Sequence, residues 1–219
     1  MEFLYKRGNL KLPKSTLIIN MGSAVECPSA KRGLCEIAGK CYAARDEKRH
    51  SNVVPGYRDR QAGYWLSHSA MEIVEDLVEV CSRQREEVTH VRWNESGDFY
   101  GRGCVSKLKD IARSTPGLVH YLYTHRTDLL EHMKDRPRNL VIQVSTTDRY
   151  KASLYSAAGF NVFYTDTEID LRKDRKVTSE VAQVMLKEKH STKWVCKWDC
   201  SKCSLCKVNG AKVIVNCLH

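Results

Sequence analysis

Short apolar runs alternate with amphipathic stretches between residues 16 and 195, and the two kinds of segment have different periods. Thr16–Met21, Val88–Trp93, Val119–Tyr123, Leu140–Val144 and Asn161–Tyr164 are rich in β-branched and aromatic residues and have the length of strands. Residues 58–84 read as a helix, because Ala70, Ile73, Val74, Leu77, Val78 and Cys81 recur at i, i+3, i+4, i+7, i+8 and i+11 and form one apolar stripe. Val105–Ser114 reads as a second helix, stopped by Pro116 and Gly117. Further helices are expected from about Asp128, from about Tyr150 to Gly159, and over Ser179–Glu188 behind a Thr178 or Ser179 cap. Lys193–Val195 is expected as a short sixth strand and Lys212–Val215 as a terminal one.

Strands that alternate with helices pair in parallel, since parallel neighbours need a long crossover between them. Six such units fit an open sheet or an incomplete barrel. The strand ends bear on the choice: Asn94–Asp98, Thr124–Arg126, Thr146–Arg149 and Thr165–Thr167 each turn an apolar run polar at its C-terminal end. In parallel barrels and sheets that edge carries the site. The expected fold class is therefore α/β, a six-unit (β/α) partial TIM-type barrel over residues 1–195. A cysteine-rich metal-binding extension, or knuckle, follows over residues 196–219.

No apolar run reaches the length of about 18 residues that spans a bilayer, and the N-terminus lacks the apolar segment of a secretory leader. A cytoplasmic protein without a membrane partner is expected. In a reducing compartment ten cysteines point to metal rather than to disulfides. Eight cluster towards the two ends: Cys27, Cys35 and Cys41, then Cys196, Cys200, Cys203, Cys206 and Cys217. The net charge of +10, from 36 basic and 26 acidic side chains, suits a nucleotide, a nucleic acid or another anionic ligand, and equally a solvated basic surface.

Cys27, Cys35 and Cys41 are spaced C-x7-C-x5-C in the loop after the first strand. Three thiolates leave tetrahedral zinc incomplete, but they hold a [4Fe–4S] cluster with one iron open. Cys196, Cys200, Cys203 and Cys206 form C-x3-C-x2-C-x2-C, in which one compact segment must wrap the metal. This favours a second cluster, with zinc as the alternative and with Cys217 or His219 as further candidate ligands. Trp194 and Trp198 flank the knuckle. Among the histidines, His125 at the end of the third strand is the best-placed catalytic candidate, whereas His68, His90, His120, His132 and His190 read as structural. Cys81 belongs to the apolar stripe, and Cys104 sits beside a Gly101-Arg102-Gly103 turn.

A three-cysteine loop after the first strand of such a barrel resembles the radical S-adenosylmethionine superfamily. The resemblance implies that the open iron binds S-adenosylmethionine, that Ser96, Gly97 and Asp98 receive its amino group, and that Ser145 and Asp148 contact its ribose and carboxylate. The chain departs from the superfamily in its longer cysteine spacing and in Asp98 where a glutamate is common. Three further features are similar to a family first named for a mycobacteriophage product, gene product eighty-eight: Cys41-Tyr42-Ala43, Ser96–Phe99 and the cysteine-dense tail. Three functions follow as expectations. The first is a radical-S-adenosylmethionine-like enzyme, using Asp98 and His125 and fed by an electron-donor protein. The second is a cluster protein that carries electrons or senses redox state. The third is a zinc-containing nucleic-acid-binding protein.

Overall fold

The computed structural model describes residues 2–171, 177–210 and 212–218. They form a mixed α/β structure around a seven-stranded, mostly parallel sheet. In chain order the strands are β1 (Lys6–Arg7), β2 (Thr16–Ile19), β3 (His90–Trp93), β4 (Val119–Thr124), β5 (Leu140–Thr146), β6 (Asn161–Asp170) and β7 (Val213–Leu218). Their order across the sheet is the same as their order along the chain. β1 runs antiparallel to β2, and every later neighbour is parallel. The order is linear from β1 to β7, with no pairing between these edge strands among the described residues, so the sheet is open rather than a closed barrel.

The connections are helical: α1 (Pro28–Lys31), α2 (Tyr42–Arg49), α3 (Val54–Ser67), α4 (Ala70–Ser82), α5 (Arg102–Ser114), α6 (Leu130–Met133), α7 (Arg149–Ala157) and α8 (Ser179–His190). Because side chains alternate across a strand, each strand offers one set to the helices. Leu17, Ile19, Val91, Trp93, Leu122, Leu140, Ile142 and Val144 make the main core with Trp65, Ile73, Leu77, Leu108 and Ile111. Val162, Val215 and Cys217 continue it towards the far edge with Ala152, Ala182 and Leu186. Ile18, Tyr121 and Val141 belong to the opposite face and pack with Leu12, alongside half-buried Cys200. Helices line one side of the sheet, and the cysteine-rich segment meets the other.

The expected elements shift in several places. The helix expected over residues 58–84 is two helices, because Ser69 accepts from the Glu72 N–H while Glu72 accepts from the Ser69 N–H, and this reciprocal cap starts α4 afresh. Val78 is 53% exposed, so it lies outside the buried stripe. The helix expected from Asp128 is a 3-10 turn followed by the single turn of α6. Lys193–Val195 is not a strand: only Val195 bridges to Val215, and the sixth parallel strand is β7. That strand arises from residues expected in the appended knuckle, so the extension also completes the sheet. Replacing Ser69 with Ala is expected to cost about 1 kcal/mol through loss of the cap, read as a lowered midpoint in urea unfolding.

Candidate functional site

The first cysteine group follows β2. Asn20, just past the strand, ties the turn down: its Nδ2 donates to Gln61 Oε1 at 2.8 Å and its Oδ1 accepts from the Ser96 N–H at 2.7 Å. Gly97 has φ of +78°, and a Cβ there would stand 2.8 Å from the Gly22 nitrogen. Only glycine allows the turn after β3 to approach the turn after β2 so closely. The start of the cysteine loop is clamped by Glu47, which accepts from the Ala24 N–H at 2.7 Å and from Arg58 Nη1 at 2.8 Å. Both members of that ion pair are buried.

Cys27 stands at the start of α1, Cys35 in the loop and Cys41 at the start of α2. The Cys27 thiol lies 3.2 Å from Ser29 Oγ. Burial pushes the Cys35 thiol up to about 12, and the charges of Cys27, Cys41 and Asp98 add to the rise. The three thiols and Asp98 therefore share one electrostatic neighbourhood. Between the cysteines, Glu36 reaches to the end of β5. It accepts from Thr146 Oγ1 at 3.0 Å, from Thr147 Oγ1 at 2.9 Å and from the Thr147 N–H, and it pairs with Lys151 at 2.9 Å. Burial opposes its charge, but these donors outweigh it and hold the carboxyl at about 2.

The polar residues expected to meet a cofactor are largely engaged by the protein itself. Asp98 is buried and accepts from Thr124 Oγ1 at 2.6 Å, the Phe99 N–H at 2.8 Å and the His125 N–H at 2.9 Å. Burial raises its carboxyl against those three bonds. Ser96 is fixed by Asn20, and its Oγ lies 3.4 Å from Glu47 Oε1. Asp148 caps α7, accepting from the Tyr150 and Lys151 N–H groups at 2.8 and 3.0 Å. Ser145 shares the sheet face of Val141, not the helix face. His125 keeps a buried Nδ1 with no hydrogen-bond partner, and burial lowers its basicity despite the nearby Asp98 carboxylate. It is the one catalytic candidate with an uncommitted buried atom.

The second group lies on the sheet face that lacks helices. Cys196, Cys200, Cys203 and Cys206 line one cavity of about 40 Å³ together with Arg92 and Tyr123, room for more than a single water. The strands fasten this segment by side chains. Gln143 Nε2 donates to the Cys206 carbonyl at 3.1 Å, Asn161 Nδ2 to the Val208 carbonyl at 2.8 Å, and Trp198 Nε1 to Asn216 Oδ1 at 2.7 Å. Trp198 adopts φ of +54°, the left-handed turn that lets the segment double back. Burial pushes the Cys196 thiol up to about 12 and the Cys206 thiol up to about 11, the latter against a hydrogen bond from Tyr123.

Trp198 walls the cavity, whereas Trp194 is 37% exposed with Lys193 over its ring. Cys217 belongs with Val162 and Val215 on the helix side, so the sheet separates it from the four thiols. His219 lies outside the described residues. Cys81 and Cys104 both pack against the main core. Among the described residues no set of three or more His, Cys, Asp and Glu side chains is gathered closely enough to hold a single metal ion. The donors nonetheless match a soft metal in kind, with four thiols around one cavity and three beside one strand edge. Sequence reasoning passed over Glu36, Arg92, Tyr123 and Gln143. The signal for Arg92 was available, because a charged residue between Val91 and Trp93 marks a strand face that is not ordinary core.

The molecule is thus an α/β protein with thiol groups at one edge and on one face of an open, sequentially ordered sheet. It belongs to the Gene product 88 family, which it matches over residues 3–209. No match was found among curated proteins or among solved structures.

Two outcomes test this geometry. In Glu36→Gln the loop loses its carboxylate latch. Because the folded carboxyl sits below its ordinary value, the latch stabilises above about pH 4.5 and fades as pH falls towards about 2. The wild type is therefore expected to exceed the variant by roughly 1 kcal/mol or less at pH 7, after solvent screening, with the gap closing through that window in urea titrations. Arg58→Ala leaves Glu47 buried and uncompensated, and is expected to cost about 3 kcal/mol by the same measurement.

Proposed function

We propose that this is an iron–sulfur protein with two cysteine sites, one built by Cys27, Cys35 and Cys41 at the C-terminal edge of the sheet, the other by Cys196, Cys200, Cys203 and Cys206 on its helix-free face. The observation that carries the reading is the gathering of all four C-terminal cysteines around one cavity. In a cluster each thiolate sits on its own iron, so the sulfurs need not approach one another as ligands of a single ion must.

The enzymatic form of this reading is radical-S-adenosylmethionine-like. Its support is architectural: parallel strands in sequential order, as in a partial barrel, with the three-cysteine loop after the first of them. The resemblance assigns the open iron at Cys27, Cys35 and Cys41 to S-adenosylmethionine, which supplies radical chemistry when bound. His125, with its free buried Nδ1, is the residue best placed to handle a proton there. A second reading, a cluster protein that carries electrons or senses redox state, draws support from a different observation. Ser96, Gly97, Asp98 and Asp148 are committed to holding turns and a helix cap rather than open for a ligand. It needs the same cysteines and no S-adenosylmethionine.

Iron, zinc and acid-labile sulfide counted on protein purified without oxygen test the shared claim. Brown protein is expected, with Cys27→Ala/Cys35→Ala and Cys203→Ala/Cys206→Ala each removing a separate share of the iron. A colourless protein holding only zinc sinks it. Added S-adenosylmethionine is expected to change the electron paramagnetic resonance spectrum of the reduced cluster if the enzymatic form holds, and to leave it unchanged if the carrier form does.

A further inference from the structure

We propose that Arg92 is the fixed counter-charge of the four-cysteine site, its guanidinium balancing the anionic sulfur that Cys196, Cys200, Cys203 and Cys206 present when they hold metal. The inference rests on the metal reading of that site and adds a residue that no ligand pattern would select.

Arg92 comes from the centre of a parallel strand, where a charge is costly unless it is compensated. Its guanidinium lies 4.1 Å from the centre of the Tyr123 ring and 5.5 Å from that of Tyr121. These rings hold the cation in place but carry no net charge to neutralise it. Its Nε is buried without a hydrogen-bond partner, and among the described residues no carboxylate stands within ion-pair distance of it. Glu95, whose charge also favours the cation, lies beyond that distance and accepts from Asn9 Nδ2 at 2.8 Å. Asp199, the one acid on the cavity wall, is taken by the Ser201 N–H at 3.1 Å and by Lys202 at 3.5 Å. What the guanidinium does share its cavity with is four thiols.

Lys197 and Lys207 also line the cavity, but both belong to the knuckle itself: Lys197 is exposed, and the Lys207 ammonium already donates to the Cys200 carbonyl at 3.1 Å. Arg92 belongs to the sheet. A metal bound by several thiolates has a net negative charge, so a nearby cation favours the bound state over protonated thiols, and it shifts the reduction potential of a cluster upward. Tyr123 contributes twice, through its ring under the guanidinium and through its hydroxyl on Cys206.

The test uses the full chain carrying Cys27→Ser and Cys35→Ser, so that the C-terminal site is isolated. Cobalt(II) is added to the reduced, metal-free protein, and the sulfur-to-cobalt charge-transfer band reports thiolate ligation whatever the native metal. Arg92→Gln and Arg92→Met are expected to weaken cobalt binding about tenfold, with Arg92→Lys within about threefold of the parent and folding followed by circular dichroism. Neutral variants that bind as the parent does overturn the counter-charge while leaving the cysteine site standing. A lysine variant as weak as a folded neutral one also overturns it, since charge would then not be the cause. If neither neutral variant folds, the lysine variant decides: binding that matches the parent supports the proposal, and weakened binding overturns it. A parent that shows neither this band nor, after reconstitution with iron and sulfide without oxygen, the visible absorption of a cluster removes the metal reading of this site and the counter-charge together. Where only the cluster forms, the same variants are compared by the iron they bind.

Discussion

The sheet's strand order constrains everything else. When parallel strands follow one another in sequence and every crossover keeps the same hand, all the helices fall on one side. The other side of a parallel sheet cannot stay bare, because its residues need burial as much as the first side's do. Here Ile18, Tyr121 and Val141 meet that need through Leu12 and the segment around Cys200. The cysteine-rich segment is therefore the cover of the sheet's second face, and its thiols face inward because the cover does.

This arrangement separates the two cysteine groups by role as well as by place. The first hangs from loops at the C-terminal edge, held by Glu47 at its start and by Glu36 across the end of β5. The second is set against strand side chains, with Gln143, Asn161 and Asn216 anchoring its backbone and Trp198. Edge loops admit ligands and rearrange at low cost. A segment bonded to three strands does neither, and so suits a group that must be kept at constant geometry. Arg92 stands with the second group, its guanidinium against Tyr123 on the covered face.

The parallel strands were legible because their apolar runs are bounded by polar turns. The first four were located to within two residues at each end, whereas the fifth, expected to end at Tyr164, runs on through Thr165–Thr167 to Asp170. The break before α4 was missed because the apolar period runs on towards Ser69, where a reciprocal cap overrides it. β1 was missed because Lys6 and Arg7 carry no apolar signal, and its only qualification is pairing with Leu17 and Ile18. Cysteine spacing located both candidate groups, since spacing is local. It said nothing of which surface they would meet, and the knuckle therefore read as an appendage. The Ser96-Gly97-Asp98 motif was noticed for its chemistry, yet Gly97 serves the close approach to Gly22 and Asp98 closes the ends of β3 and β4. A motif shared by fold and function looks the same in one dimension.

The order in which the parts leave the ribosome adds a consequence. β7 and the covering segment come after all the strands they complete, and β7 also gives Val215 and Cys217 to the helix side, so both faces depend on the same late stretch of chain. The stretch that brings the four thiols to Arg92 is the one that completes the sheet. A group held by the four thiols is thus enclosed by the same segment that covers the sheet, and releasing it means breaking that segment's bonds to Gln143 and Asn161.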